Sequence, residues 1–330
     1  NAGGTLCADA DWPRRGVNVQ GDQLPLALLV PYLPEREDGR PWVLVGEAAL
    51  VAQLKPAGNA WRGTATLASA SGGLRNRARA RRDLVGYRDL KLDAAFDPQR
   101  IEATLGAVFN DDGRIDARIA TGWDGYAPLS GEVKVATDEL TWMELFSPDI
   151  VEPSGRLDAD LRLAGTRAAP TIGGEGRLQD FATELPALGI ALGEGDVRLH
   201  AQADGNARIV GRVRSGDGVL DIDGTLGWQA QDTPLVLALR GSNVLLAETR
   251  QLRVVANPDV TVRYRAGQPL QVGGTVTVPE ADINLERLDE GVSKSDDVVV
   301  LDPVDPKRST PNTLDLDLAL KVGDQVELKG

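Results

Sequence analysis

The chain holds one histidine, His200, and one cysteine, Cys7, which narrows the chemistry open to it. A Ser-His-Asp triad needs an imidazole base held by a second group, and a structural zinc needs four nitrogen or sulfur ligands. His200 shares a strand face with Arg198 and reads as a solvent-facing side chain. Carboxylates are the other candidates. Asp111 and Asp112 fall in the turn "NDDG", where Asp serves backbone geometry. "DGVLDIDG" spaces its acids as a calcium loop would, but Leu220 and Ile222 claim the stretch for a strand. "GGEGRLQDF", from Gly173, is spaced like a calcium-binding nonapeptide and puts Leu178 where an Asp ligand is required. No catalytic residue, metal or cofactor is expected. The strongest enzymatic alternative, a β-helix polysaccharide lyase, needs acids and bases clustered on one outer face.

"RNRARARR", beginning at Arg75, is the basic exception in a chain of net charge −13. Its spacing predicts a strand with Arg75, Arg77, Arg79 and Arg81 on one face. That face is either plain solvated surface or a contact for anionic lipid headgroups at a membrane. The acidic balance elsewhere opposes phosphate attraction, so nucleic acid is not an expected partner.

The elements that carry these residues are strands. Glycine numbers 37 and proline 19, and hydrophobic residues make up 42% of the chain with aromatics at 4%, so the apolar content is small and aliphatic. Leu90, Leu92, Ala94 and Phe96 alternate with polar residues. Asp97-Pro98 and "NDDG" then turn the chain into two further alternating runs, a meander of antiparallel strands. The same period of two places Leu157, Leu161, Leu163, Val197, Leu199, Ile209, Val213, Leu220, Ile222, Leu226, Leu314, Leu316, Leu318 and Leu320 on an apolar side. Arg156, Asp158, Asp160, Arg162, Asp221, Asp223, Asp315 and Asp317 fall on the wet side. Two apolar clusters do not alternate, near residues 23–31 and 138–147. Each predicts a short helix, or else an irregular segment, lying over the apolar face.

A sheet with one oily face can pair with another sheet, close, or bend round on itself. A membrane barrel needs aromatic girdles, which the few scattered aromatics do not supply. No run reaches the length of a membrane-spanning helix, and the sequence reads as an interior piece of a longer chain. The expected fold is all-β: a long, curved, antiparallel sheet forming a U-shaped hydrophobic trough across residues 1–330 as one continuous segment. Its inside would suit acyl chains.

"GTRAAPTIGGEGRLQD", Gly165 to Asp180, resembles the repeated G-T-x-x-x-P-x-x-x-G-x-x-x-L pattern of the TamB family. "VTVPEADINLERLDEGVSKSDDVVVLD", Val276 to Asp302, resembles its V-P-x-A-x-I-x-L stretch, and "LPLALLVPYLPE" and "SGRLDADLRLAG" are similar to further segments. The resemblance implies a periplasmic protein of Gram-negative bacteria, held by an N-terminal inner-membrane helix absent from this chain, and the trough fold called a β-taco. It implies two activities: phospholipid passage towards the outer membrane, and help in inserting autotransporter-type barrels with the outer-membrane barrel TamA. Acyl chains and unfolded apolar strands want the same surface, so either cargo, phospholipid or client polypeptide, fits the residues. Contacts with TamA would be made by parts of the chain not present here.

Overall fold

A computed structural model describes residues 3–11, 16–33, 41–75, 77–80, 83–109, 113–145, 150–227, 233–266, 268–284 and 314–329. Among them are eighteen strands and two short 3-10 helices. The fold is all-β, as the alternation predicts. The chain divides into two compact units, Asn1–Leu178 with His200–Asp204, and Gln179–Leu199 with Gly205–Gly330.

The first unit carries β1 (Thr5–Asp11), β2 (Gly16–Pro25), β3 (Val43–Ala57), β4 (Ala60–Arg75), β5 (Val85–Phe96), β6 (Ile101–Phe109), β7 (Gly113–Thr121), β8 (Ser130–Thr137) and β9 (Val151–Gly165). Each pairs antiparallel with the next. Short turns make this possible. Gly58, at φ +67, supplies the left-handed residue of the two-residue β3–β4 hairpin. Gly165, at φ +83, opens the turn after β9, where Thr166 and Ala169 exchange backbone hydrogen bonds at 3.1 Å. The Gly-Thr of the G-T-x-x-x-P pattern is therefore turn chemistry.

β10 (Pro170–Leu185) begins in the first unit and ends in the second. Then follow β11 (Ile190–Ala201), β12 (Asn206–Ser215), β13 (Gly218–Gly227), β14 (Leu235–Ser242), β15 (Val244–Glu248), β16 (Leu252–Tyr264), β17 (Leu270–Asn284) and β18 (Leu314–Lys329). β12, β13, β14, β16 and β17 pair antiparallel in that order. β18 departs from the expected antiparallel pattern and lies parallel to β17. A parallel neighbour requires a crossover of a dozen or more residues, and residues 285–313 separate the two strands.

Register shifts interrupt the ladders within both units, on β5 near Asp89 and where β15 and β17 pair with β16. Asp89, Asp180 and Glu194 have φ of 52, 50 and 49, a left-handed conformation inside a strand. At Asp89 the alternation shifts by one. On β5, Tyr87 pairs with Phe109 but Lys91 pairs with Gly106, so Val85 and Tyr87 share a face with Leu90 and Leu92 despite the change of parity. The extra residue keeps apolar side chains on one side while the strand bends. In each unit the sheet is curved and unclosed.

Both predicted helices exist as 3-10 pieces, shorter and tighter than the two or three helical turns their apolar runs suggest. The first, η1 (Leu26–Tyr32), contains Pro31 and ends as Leu33 N–H donates to Val30 O at 3.1 Å. Leu26 lies over Gly46 of β3, but Leu28 is 63% exposed, so the cluster only partly covers the face. The second, η2 (Thr141–Leu145), follows Leu140, which is 1% exposed and pins it to the sheet. Residues 146–147 of the predicted 138–147 helix lie outside the described residues.

Candidate apolar binding face

Register turns the alternating strands into rows that cross the sheet. In the first unit one row reads Leu50, Leu67, Leu92, Leu105, Ala117, Val133 and Leu161, running from β3 to β9. Beside it runs Ala52, Ala65, Ala94, Ala103, Ile119, Gly131 and Leu163. Large side chains thus lie next to a furrow of mostly small ones. In the second unit, Ile209, Gly224, Leu237, Val262, Val272 and Leu316 form one row, and Gly211, Ile222, Leu239, Val260, Gly274 and Leu318 the next. The glycines make room. A Cβ on Gly224 would meet Leu237 Cδ2 at 2.6 Å and Val236 O at 2.2 Å.

These rows are apolar without being a closed core. Leu92 and Ile119 lie in interior strands and stay 37% and 36% exposed, where a second packed layer would bury them. Leu157, Leu161, Leu163, Val197, Leu199, Ile209, Leu220, Ile222, Leu226 and Leu318 are half-buried, and Val213 is buried. Leu314, Leu316 and Leu320 are exposed on β18, Leu320 at 68%. The second unit also has a small buried cluster of Ala256, Val260 and Val276, with Leu239, Val272 and Leu318 against it.

The reverse face carries charges that alternate in sign by register. Asp93, Thr104, Arg118, Glu132 and Arg162 are consecutive cross-strand neighbours in the first unit, as are Arg212, Asp221, Arg240 and Asp259 in the second. Arg240 donates to Asp259 at 3.0 Å, and Arg208 to Asp223 at 2.7 Å. A slip of one residue would put these charges on the apolar face. A slip of two would bring unlike pairs out of match.

Asp93 shows the effect on titration. Lys91, 2.9 Å away, and the Thr66 hydroxyl, which donates at 2.9 Å, hold its carboxyl below the usual carboxylate value. A lowered folded value means that its contribution to stability is present above the unfolded value and is lost as pH falls through the folded one. The Asp93 carboxyl resonance should therefore titrate at lower pH in folded protein than in urea. Thr66→Val should move the folded midpoint upward; equal midpoints in the three samples would contradict this account.

The arginine run is not a strand. β4 ends at Arg75, Ala80 N–H donates to Arg77 O at 3.1 Å in a turn, and Leu84 N–H returns to Leu74 O at 2.7 Å. Arg75 pairs with Asp83, while Arg77 and Arg79 are exposed; Arg81 lies outside the described residues. Alternating Arg and Ala offers no apolar side large enough to hold a strand on the sheet. His200 is exposed with its Nδ1 3.4 Å from Glu175, Cys7 is exposed, and the described residues contain no cluster of three metal-binding side chains. Asp111 and Asp112 lie outside the described residues. The alternation identified the strands, but not that Leu50, Leu67 and Leu105 line up in the first unit, or Leu237 and Val262 in the second, because strand register is not written in periodicity.

Among the described residues, each unit presents a sheet with a leucine-and-alanine surface on one side and a ladder of charge on the other, which defines an open-faced β protein. The family profile described as TamB, N-terminal domain, matches residues 1–178, and the TamB C-terminal domain profile matches residues 191–330. The chain belongs to the TamB family. Membership places it in the TamA-linked translocation and assembly module, a non-enzymatic transport and assembly component of the periplasm-spanning envelope machinery. No curated protein and no solved structure matches the chain. Among the described residues no helix is long and apolar enough to cross a membrane.

Proposed function

We propose that the apolar face carries the acyl chains of phospholipid between the inner and outer membranes. The observation behind this reading is the set of uncovered rows, in which leucines of interior strands remain open along one side. Strands lie about 4.8 Å apart, so the six-strand rows of the second unit offer a track on the order of 24 Å long. Each methylene taken out of water contributes about 0.8 kcal/mol. A chain lying on one face is shielded on one side, and it meets no hydrogen-bonding group that it must leave in order to slide.

A photo-crosslinker placed at Leu237 should yield phospholipid adducts in cells, while the same group at Ala238, on the charged face, should yield few. Equal labelling at the two positions would remove the reading. The second reading is a folding aid that holds strands of a client barrel by strand addition. Its support is β18, which pairs with β17 yet leaves Leu314, Leu316, Leu320, Val322 and Leu328 exposed, an apolar surface that a client strand could cover. Polypeptide adducts at Leu237 or Leu320, in place of lipid, would favour it.

A further inference from the structure

We propose that the pocket beneath η2 is a station that holds the end of one alkyl chain, up to about nine carbons long. This rests on the acyl-chain reading above and adds a discrete stop to it. The pocket belongs to the first unit and has a volume of about 270 Å³. Its floor is Phe109, Ile115, Val135 and Leu157, from four consecutive strands, with Leu84 at one side and Trp142 of η2 above. A methylene occupies about as much space as a water molecule, roughly 30 Å³, which sets the limit of about nine. A pocket lined almost wholly by apolar side chains favours an apolar guest over water.

The polar groups around it are already engaged. Glu139 Oε1 accepts from Thr141 N–H at 2.8 Å, and Glu139 N–H donates to Thr137 Oγ1 at 3.0 Å. The one carboxylate at the rim therefore caps η2 and offers nothing to an anionic headgroup. The occupant is the hydrocarbon end of a lipid, with its headgroup outside. On the open rows a chain touches protein on one side; in the cleft under η2 it touches the four strands and Trp142 as well, so residence should be longest there.

Saturated n-alcohols from hexanol to tetradecanol, added to the full chain, test this. Binding is read as the fluorescence change that disappears in Trp142→Phe. Affinity should rise about fourfold per added methylene and level off near nine carbons. Val135→Phe and Ile115→Phe, which fill the pocket from neighbouring strands, should each weaken nonanol binding at least tenfold. Affinity that climbs steadily to tetradecanol, or is unchanged in both folded variants, overturns the station. Phospholipid crosslinking at Leu237 separates the two failures: it persists if only the station is wrong and is lost if the acyl-chain reading is wrong.

Discussion

Removing Asp89 should unfold the first unit, whereas Asp89→Gly at the same position should leave it folded and slightly more stable. With φ of 52, Asp89 is the extra residue that lets β5 change parity. Without it, Val85 and Tyr87 turn to the charged face or the rest of the strand does. Tyr87 is held in place by its neighbours. Its hydroxyl lies 2.8 Å from the buried Ser69 Oγ, which in turn donates to Glu47 O at 2.7 Å. Losing two apolar side chains at up to about 1.5–3 kcal/mol each, and the Tyr87–Ser69 hydrogen bond at about 0.5–1.5 kcal/mol, comes to at most roughly 3.5–7.5 kcal/mol. That rivals the whole stability of a typical domain, about 5–15 kcal/mol. Glycine takes the left-handed conformation freely, so Asp89→Gly should gain several tenths to about 1 kcal/mol. Urea unfolding followed by circular dichroism reads both effects, and a wild-type midpoint for the deletion would refute the bulge's role.

That bulge also marks how far the sequence can be read. Leu157, Leu161 and Leu163 against Arg156, Asp160 and Arg162 declare both the strand and its faces, because a half-buried strand must alternate. In "VGYRDLKL" the alternation slips at Arg88-Asp89, and the slip is visible in the letters. Its meaning is not, since a slip can end a strand, flip it or bend it. The parallel pairing of β18 was hidden for another reason: Leu314, Leu316 and Leu318 alternate identically in either orientation. The run from Arg75 misled because it has the period of a strand without the apolar side that anchors one. The pocket under η2 is a product of tertiary structure alone, as Trp142 meets Phe109, Ile115 and Leu157 only when four strands are in register. The apolar cluster from Leu24 to Val30 announces a break in the sheet, which falls at Leu26, because Leu24 and Pro25 still belong to β2. Its partial exposure depends on where Gln23, at φ 52, points the chain.

Ile222→Arg should slow phospholipid transfer about a hundredfold while leaving the fold intact. Ile222 lies between Gly211 and Leu239 in its row, so an arginine there has a neighbour with no side chain to hide its guanidinium. The open face lets the charge reach water, its stem covering apolar surface, and folding should tolerate it. A passing acyl chain would not. Three or four methylenes would lose their apolar contact at about 0.8 kcal/mol each, raising the barrier by about 3 kcal/mol, and each 1.4 kcal/mol or so is a factor of ten in rate. Ala238→Arg, opposite Asp223 on the charged face, should change transfer less than twofold. Transfer of labelled phosphatidylethanolamine between vesicles, with circular dichroism to confirm folding, measures both variants. Equal rates in wild type and Ile222→Arg would end the acyl-chain reading. Unchanged transfer with impaired insertion of a client barrel would assign the same face to polypeptide, because a charge in mid-row obstructs an apolar strand as surely as it obstructs a lipid tail.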